Sequence, residues 1–411
     1  MKLLLILLSS IFGTTLALPV KYFDSLDVLG NGLGVPCSTN SSAAWVDLVL
    51  IIDVSSNMGM ARIQQIQQKF QQIFSKYSIG QDKLHNTRVA LITYATSATT
   101  LADFSYFKNY NDLVNGLNSI MTINGDRNSN LNTGLDSAYT LIQGQIASNY
   151  QGKPIGVVLL AAGVNTAYLN DISQAATNIR QYGTIISVNY NSADITLGNI
   201  LNGISTSPMV FYSSSNTLSY DLDWAFMQTN CYCPRSYGMQ FSAYDPQSNR
   251  VTRFAECYII LNWSSFPPNM NSLTMCSPNY QVSITNQAKN DFVQNSIGLA
   301  QFGVDSVYIS LHRNNAQTWV WYDYDGSEIL LGNYTNWEPN VNPSTTDNCV
   351  VAEKSSSGTY PWKPVSCFPA QTGVTHTVCA KLACDANRKS CISGINDKSF
   401  KHDGNFTVIY K

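Results

Sequence analysis

The chain has 411 residues, a hydrophobic fraction of 44%, only 12% charged residues and a formal net charge of −2. That length exceeds one ordinary domain, and the apolar share suffices for buried cores. No cluster of Lys and Arg is present to offset phosphate charge, which excludes a nucleic-acid footprint.

The first element in chain order is a targeting signal. Lys2 supplies a positive end, Leu3 to Leu16 an apolar run, and Thr15-Leu16-Ala17 a small-residue cleavage site, so residues 1–17 read as a signal peptide. The run is shorter than the roughly 20 apolar residues of a spanning helix. The expectation is a secreted, extracellular protein with no transmembrane anchor. Residues 18–44 follow as a leader or linker. Within them Gly30-Asn31-Gly32-Leu33-Gly34 lacks the third glycine of a dinucleotide fingerprint and reads as flexible.

Export makes the ten cysteines legible as disulfide formers. None falls between 38 and 230, and nine lie at or after 231, which places a domain boundary near 230. Cys37 and Cys231 flank the cysteine-free stretch, and a bond between them clamps its two ends; Cys233 is the alternative partner. Sequons at Asn40, Asn262, Asn333 and Asn405 are compatible with N-glycosylation, making the chain a candidate glycoprotein.

Residues 45–230 alternate apolar runs with amphipathic segments. The runs at 46–52, 88–95, 154–162 and 184–190 suit parallel strands buried on both faces. Between them, 61–77, 131–146 and 171–182 carry helical apolar stripes. The pattern predicts a doubly wound α/β sheet, whose ligands sit at the carboxyl ends of its strands. The first strand ends in Asp53-Val54-Ser55-Ser56-Asn57, and Thr133 lies in a later segment, LNTGLDSA. These residues, with the element order, resemble the von Willebrand factor A family and its metal-ion-dependent adhesion site. The resemblance implies a Rossmann-like fold and a magnesium site at Asp53, Ser55, Asn57 and Thr133. The site is degraded: Asn57 replaces a serine, and Ala161-Ala162-Gly163 stands where the family has Asp-Gly. The other reading of Asp53 and Ser55 is a rim that hydrogen-bonds its own loop.

From 231 the texture changes to short aromatic segments and polar turns. Asn286 to Ile297 is amphipathic; Tyr308-Ile309-Ser310-Leu311 and Trp319-Val320-Trp321-Tyr322 read as strands; Trp337-Glu338-Pro339-Asn340, Asp347, Cys349, Trp362, Cys367 and Cys379 follow. This order resembles a C-type lectin-like domain over 231–383, an α+β disulfide-bonded fold, and the whole arrangement resembles nematode lectin-like proteins with an N-terminal A domain. The resemblance implies the bridges Cys276–Cys379, Cys349–Cys367 and Cys233–Cys257. Cys384 and Cys391 remain, near enough to close a small loop in a tail over 384–411.

In sugar-binding members of the family, Glu and Asn flank a cis proline and bind calcium together with a later acid and an Asn-Asp pair. Glu338, Asn340 and Asp347 match, beside Trp337, whereas Lys363-Pro364 stands in place of the pair. A cation near a divalent ion is repelled by several kcal/mol at about 4 Å even at an effective dielectric near 20. Two alternatives follow: Lys363 pairs with Glu338 and fills the site, or recognition proceeds without calcium by stacking on Trp319, Trp321, Trp337 or Trp362. The candidate cofactors are therefore calcium and magnesium, each at a site short of ligands.

His85, His312, His376 and His402 show no ligand spacing, and no hydrolase or phosphate-loop motif is present, so no enzyme is expected. The resemblance implies a secreted recognition protein that binds glycans or microbial glycoconjugates through the lectin-like domain, in innate immune defence. The alternative is an extracellular adhesion or matrix protein that binds proteins through the A domain, with both metal sites vestigial.

Overall fold

The structure, a computed structural model, describes residues 32–81, 85–122, 126–147, 152–234, 237–263, 271–343, 346–371, 373–388 and 406–409. Residues 1–17, expected to be a signal peptide, and Asn405, Cys391 and His402 lie outside these residues.

The first layer system contains β1 (Asp47–Asp53), α1 (Gly59–Phe74), β2 (Arg88–Tyr94), β3 (Ala98–Ala102), α2 (Tyr110–Asn118), α3 (Leu131–Ala147), β4 (Ile155–Ala161), α4 (Leu169–Arg180), β5 (Gly183–Asn189), α5 (Ile195–Ile204), β6 (Val210–Tyr212) and α6 (Leu218–Asn230). Its six strands run in the order β3-β2-β1-β4-β5-β6, parallel except for β3. Every residue of β1, β2 and β4 is buried, because helices cover both faces of the sheet. On one face Ile63, Ile66, Phe70 and Phe74 of α1 pack with Leu222 and Phe226 of α6; on the other, Leu135, Ala138 and Ile142 of α3 pack with Ile172 and Ile179 of α4. Each fully buried large apolar side chain contributes about 1.5–3 kcal/mol, so these two cores dominate the stability of this half.

The second half contains β7 (Met239–Asp245), β8 (Arg250–Trp263), β9 (Tyr280–Gln281), α7 (Gln287–Asp291), β10 (Ser306–Arg313), β11 (Trp319–Tyr322), β12 (Glu328–Leu330), β13 (Cys349–Glu353), β14 (Trp362–Val365), β15 (His376–Leu382) and β16 (Phe406–Ile409). The amphipathic stretch expected at 286–297 is split into α7 and a π-helical turn over Phe292–Ser296. The long strand β8 lies between β15 and β16, both antiparallel to it. The tail expected to be a disulfide loop thus also supplies a strand. Trp321 and Trp362 are fully buried and meet edge to face at 5.4 Å, forming the centre of this core.

Among the described residues, disulfides join Cys37–Cys231, Cys233–Cys257, Cys276–Cys379 and Cys349–Cys367. The choice left open for Cys37 resolves to Cys231. Cys384 is also disulfide-bonded.

The leader is not loose where it is described. The Asn286 side chain donates to the carbonyls of Gly32 and Leu33 at 3.0 and 2.8 Å, Val35 N–H donates to Glu256 at 2.6 Å, and Ala255 N–H donates back to Val35 at 2.7 Å. The glycine-containing stretch was expected to be flexible because no strand precedes it; its partners lie more than 200 residues away, at β8 and at the start of α7. The two halves are further joined by Gln228 and Arg253, which exchange bonds of 3.3 and 2.8 Å, and by an Arg250–Asp221 ion pair at 2.9 Å.

Candidate functional site

The carboxyl ends of β1 and β4 bring Asp53 and Ala162 together. Asp53 is fully buried. One of its oxygens accepts the Ser55 N–H at 2.9 Å; the other accepts the Ala162 N–H and the Ser129 hydroxyl, each at 3.1 Å. Ser55 and Ser129 hydroxyls lie 2.8 Å apart, and the Asn57 amide donates to Ser129 at 3.1 Å and to the Arg127 carbonyl at 2.8 Å. Burial raises the Asp53 pKa above the usual carboxylate value, and these hydrogen bonds partly offset the rise. Gly163 leaves room for this contact: a Cβ there would fall 2.7 Å from the Asn57 amide nitrogen.

Thr133 is not part of this cluster. Its hydroxyl donates to the Asn130 carbonyl at 2.8 Å within the first turn of α3, and the hydroxyl that reaches Asp53 belongs to Ser129. Thr133 was the residue expected from the sequence; it bonds its own helix start instead, and the loop before α3 brings Ser129 to Asp53. Ser129 has no family-independent signal in the sequence.

Magnesium favours near-octahedral oxygen ligation, usually with carboxylates. Here Asp53 is the sole carboxylate among the hydrogen-bonded partners, its oxygens face N–H and O–H donors, and Asn57 turns its NH2 group inward. The Arg62 guanidinium donates to the Asn57 carbonyl at 2.8 Å, which adds a cation at the rim. The residues present do not fit a divalent cation.

The second candidate lies on the loop before β13. Glu338 N–H donates to the Trp362 carbonyl at 2.9 Å, and Trp362 N–H donates to Asn336 at 2.7 Å, so backbone bonds dock the loop on β14. Glu338 and Asp347 are half-buried and Asn340 is exposed. Asn340 adopts a left-handed φ of 69°. Among the described residues the cis bonds precede Pro208, Pro278 and Pro369, so the cis geometry expected at Pro339 is not adopted. Lys363 pairs with Glu353 at 3.0 Å, not with Glu338 as the first alternative required. Pro364 is buried in β14. No group of three or more His, Cys, Asp or Glu side chains able to hold a metal occurs among the described residues. Calcium therefore has half a ligand set here, and the residues do not fit it.

What remains at this face is aromatic. Trp321 and Trp362 belong to the core. Trp319 and Trp337 are only half-buried, with ring centroids 5.2 Å apart. The Trp319 indole N–H donates to the Pro343 carbonyl at 3.1 Å, and the Arg313 guanidinium covers its ring at 4.8 Å. The pair is fixed in place and presents apolar surface beside polar loop groups.

Comparison with known proteins now decides the family. Residues 47–223 match the von Willebrand factor type A domain model, and residues 271–381 match the C-type lectin domain model. The chain is a von Willebrand factor A domain followed by a C-type lectin domain. It is 26% identical over 373 residues to "C-type lectin domain-containing protein 160" of Caenorhabditis elegans, a match covering 85% of this chain and 55% of that protein. The chain thus spans little more than half the length of the curated relative it matches. Among solved structures it is similar to proximal thread matrix protein 1 from the mussel byssus, described with a zinc-occupied MIDAS motif, at 16% identity and a TM-score of 0.39, covering 45% of this chain and 47% of that one. It is also similar to the vWF domain of the pilus tip protein Mfa5 from Porphyromonas gingivalis, at 17% identity and a TM-score of 0.33, covering 47% of this chain and 94% of that one. C-type lectin and A domains commonly bind calcium or another metal, which sets the two degraded sites of this chain apart.

Proposed function

We propose that this protein is a secreted, extracellular recognition protein that binds glycans through its C-type lectin domain without calcium, with no catalytic activity of its own. The observation that carries this reading is the half-buried Trp319–Trp337 pair, with Trp319 held by Pro343 and Arg313 and Trp337 packed on Trp362, beside a loop whose calcium ligands are incomplete. Rigid aromatic faces stack on sugar rings at low entropic cost, and the surrounding polar groups suit hydroxyls. The disulfides support an oxidising compartment, and no helix among the described residues is long and apolar enough to cross a membrane. A glycan array run with calcium and with EDTA tests the proposal. Retention that is equal in both and falls about tenfold in Trp337→Ala is the expected result. Silence under both conditions sinks it for the glycans tested.

A second reading is protein adhesion through the A domain, and one observation favours it. Tyr168, Leu169, Ile195 and Tyr212 are exposed around the carboxyl ends of β4, β5 and β6, with Ile195 77% exposed. An apolar rim of this kind suits a protein partner better than a sugar. EDTA-insensitive retention on a protein ligand, lost in Ile195→Asp, would support that role.

A further inference from the structure

Between the two domains lies a cleft of about 390 Å³ that neither degraded metal site touches. Its walls come from three segments: α6 of the A domain, the β7–β8 hairpin of the lectin domain, and the leader around Cys37. Small-ligand pockets span roughly 300–1,000 Å³, so the volume is adequate for a small molecule or one end of a chain.

The lining chemistry narrows the ligand. Tyr220, Trp224 and Phe254 supply aromatic surface; Asp223, Asp245 and Gln247 supply polar groups that suit hydroxyls. Among the described residues no Lys, Arg or His lines the cleft, while two carboxylates do. Lys76 and Arg250, cations next to the lining, are each paired with a carboxylate, Asp223 and Asp221, so the lining suits a neutral ligand better than phosphate, sulfate or sialic acid. Aromatic faces beside carboxylate and amide groups match the alternating apolar and hydroxyl faces of a neutral pyranose.

The cleft is also held in shape. The Cys37–Cys231 bridge ties the leader to the end of α6, and the Gln228–Arg253 exchange ties α6 to β8. Arg250 sits 4.6 Å over the Trp224 ring while bonding Asp221, which fixes both. Asp223 is oriented by the Tyr77 hydroxyl at 2.7 Å and by Lys76 at 3.2 Å. A preorganised site loses less on binding than one that must order its walls. From these observations we infer that the interdomain cleft is a calcium-independent binding site for neutral oligosaccharides. It is separate from the Trp337 face and does not depend on that reading.

The test is calorimetric titration of the full chain in EDTA with neutral oligosaccharides ending in mannose, glucose, galactose or N-acetylglucosamine. Wild type is compared with Tyr220→Ala, Gln247→Ala and Trp337→Ala; Tyr220 and Gln247 are exposed, so their variants are expected to fold, and melting curves check this. The cleft predicts at least one sugar whose affinity falls about tenfold in Tyr220→Ala, falls in Gln247→Ala, and is unchanged in Trp337→Ala. Binding lost only in Trp337→Ala overturns the cleft and leaves the lectin-face reading standing. No binding by any member of the panel, or binding indifferent to Tyr220→Ala and Gln247→Ala, overturns the cleft as well.

Discussion

The Lys363 ammonium lies 3.0 Å from the Glu353 carboxylate on the adjacent strand, and both side chains are about two-fifths exposed. β13 and β14 are antiparallel neighbours, and this pairing draws Lys363 away from Glu338. The lysine that displaces a calcium ligand in the sequence is thus a strand-to-strand partner at the surface. An exposed pair of this kind contributes at most about 1 kcal/mol.

Lys363→Asn alone should leave calcium binding flat, because Pro364 still offers no side-chain oxygen. Lys363→Asn with Pro364→Asp should raise calcium affinity while lowering the melting temperature, since Pro364 is buried. Calcium calorimetry alongside thermal melts reads both. A folded double variant with no gain would contradict the assignment of these positions.

The buried pair Lys289–Glu256, at 3.0 Å, holds α7 against β8, and Glu256 also accepts from Val35 at 2.6 Å. Lys289→Met leaves a buried carboxylate without its cation, which destabilises by about 3–5 kcal/mol. Hydrogen exchange should speed up first at the Val35 amide, whose acceptor is Glu256. Unchanged protection there would show that the leader is held by other contacts.

His312 is buried, donates from Nδ1 to the Ser310 carbonyl at 2.8 Å, and keeps Nε2 4.0 Å from Glu328. Burial lowers its pKa below the ordinary histidine value, against the smaller raising effects of the Ser310 bond and Glu328. The folded chain therefore binds this proton less readily than the unfolded chain. Its contribution to stability is present above about pH 6.5 and falls as pH drops through the unfolded value. The difference in melting temperature between wild type and His312→Gln should shift against wild type on acidification. An imidazole NMR titration with a midpoint at or above the free value would refute this.

Cys37–Cys231 closes a separation of 194 residues. The chain-entropy estimate for such a loop is on the order of 5 kcal/mol. Cys37→Ser with Cys231→Ser should lower stability by several kcal/mol and loosen the leader against β8. Denaturant melts measure the first effect and hydrogen exchange the second. A loss below about 1 kcal/mol would mean that contacts such as Gln228–Arg253 already hold the junction.

The strands β1, β2, β4 and β5 were legible because buried parallel strands appear as continuous apolar runs. The edge elements β3 and β6 were not: β3 exposes most of its residues, and β6 has three residues. At the candidate sites, Asp53 and Glu338 were found by motif. Ser129 was not, because a single serine carries no spacing signal until its loop folds back on Asp53. The partner of Lys363 was likewise hidden, since ten residues separate it from Glu353 and only strand register brings them together.

The amino-acid sequence by itself carried the two-domain order, the apolar strands and the residues that stand where the families have metal ligands, Ala162, Lys363 and Pro364. The strands follow from local periodicity, which acts over a few neighbours, and the domain order and the departures at Ala162, Lys363 and Pro364 from the resemblance of short motifs to the two families. The tertiary structure alone decided that Cys37 meets Cys231 rather than Cys233, that the leader docks on β8, and that α6 and the β7–β8 hairpin enclose a cleft. Those outcomes depend on contacts between segments up to about 220 residues apart, and such contacts are selected by packing and hydrogen-bond satisfaction across the whole fold, not by any local pattern.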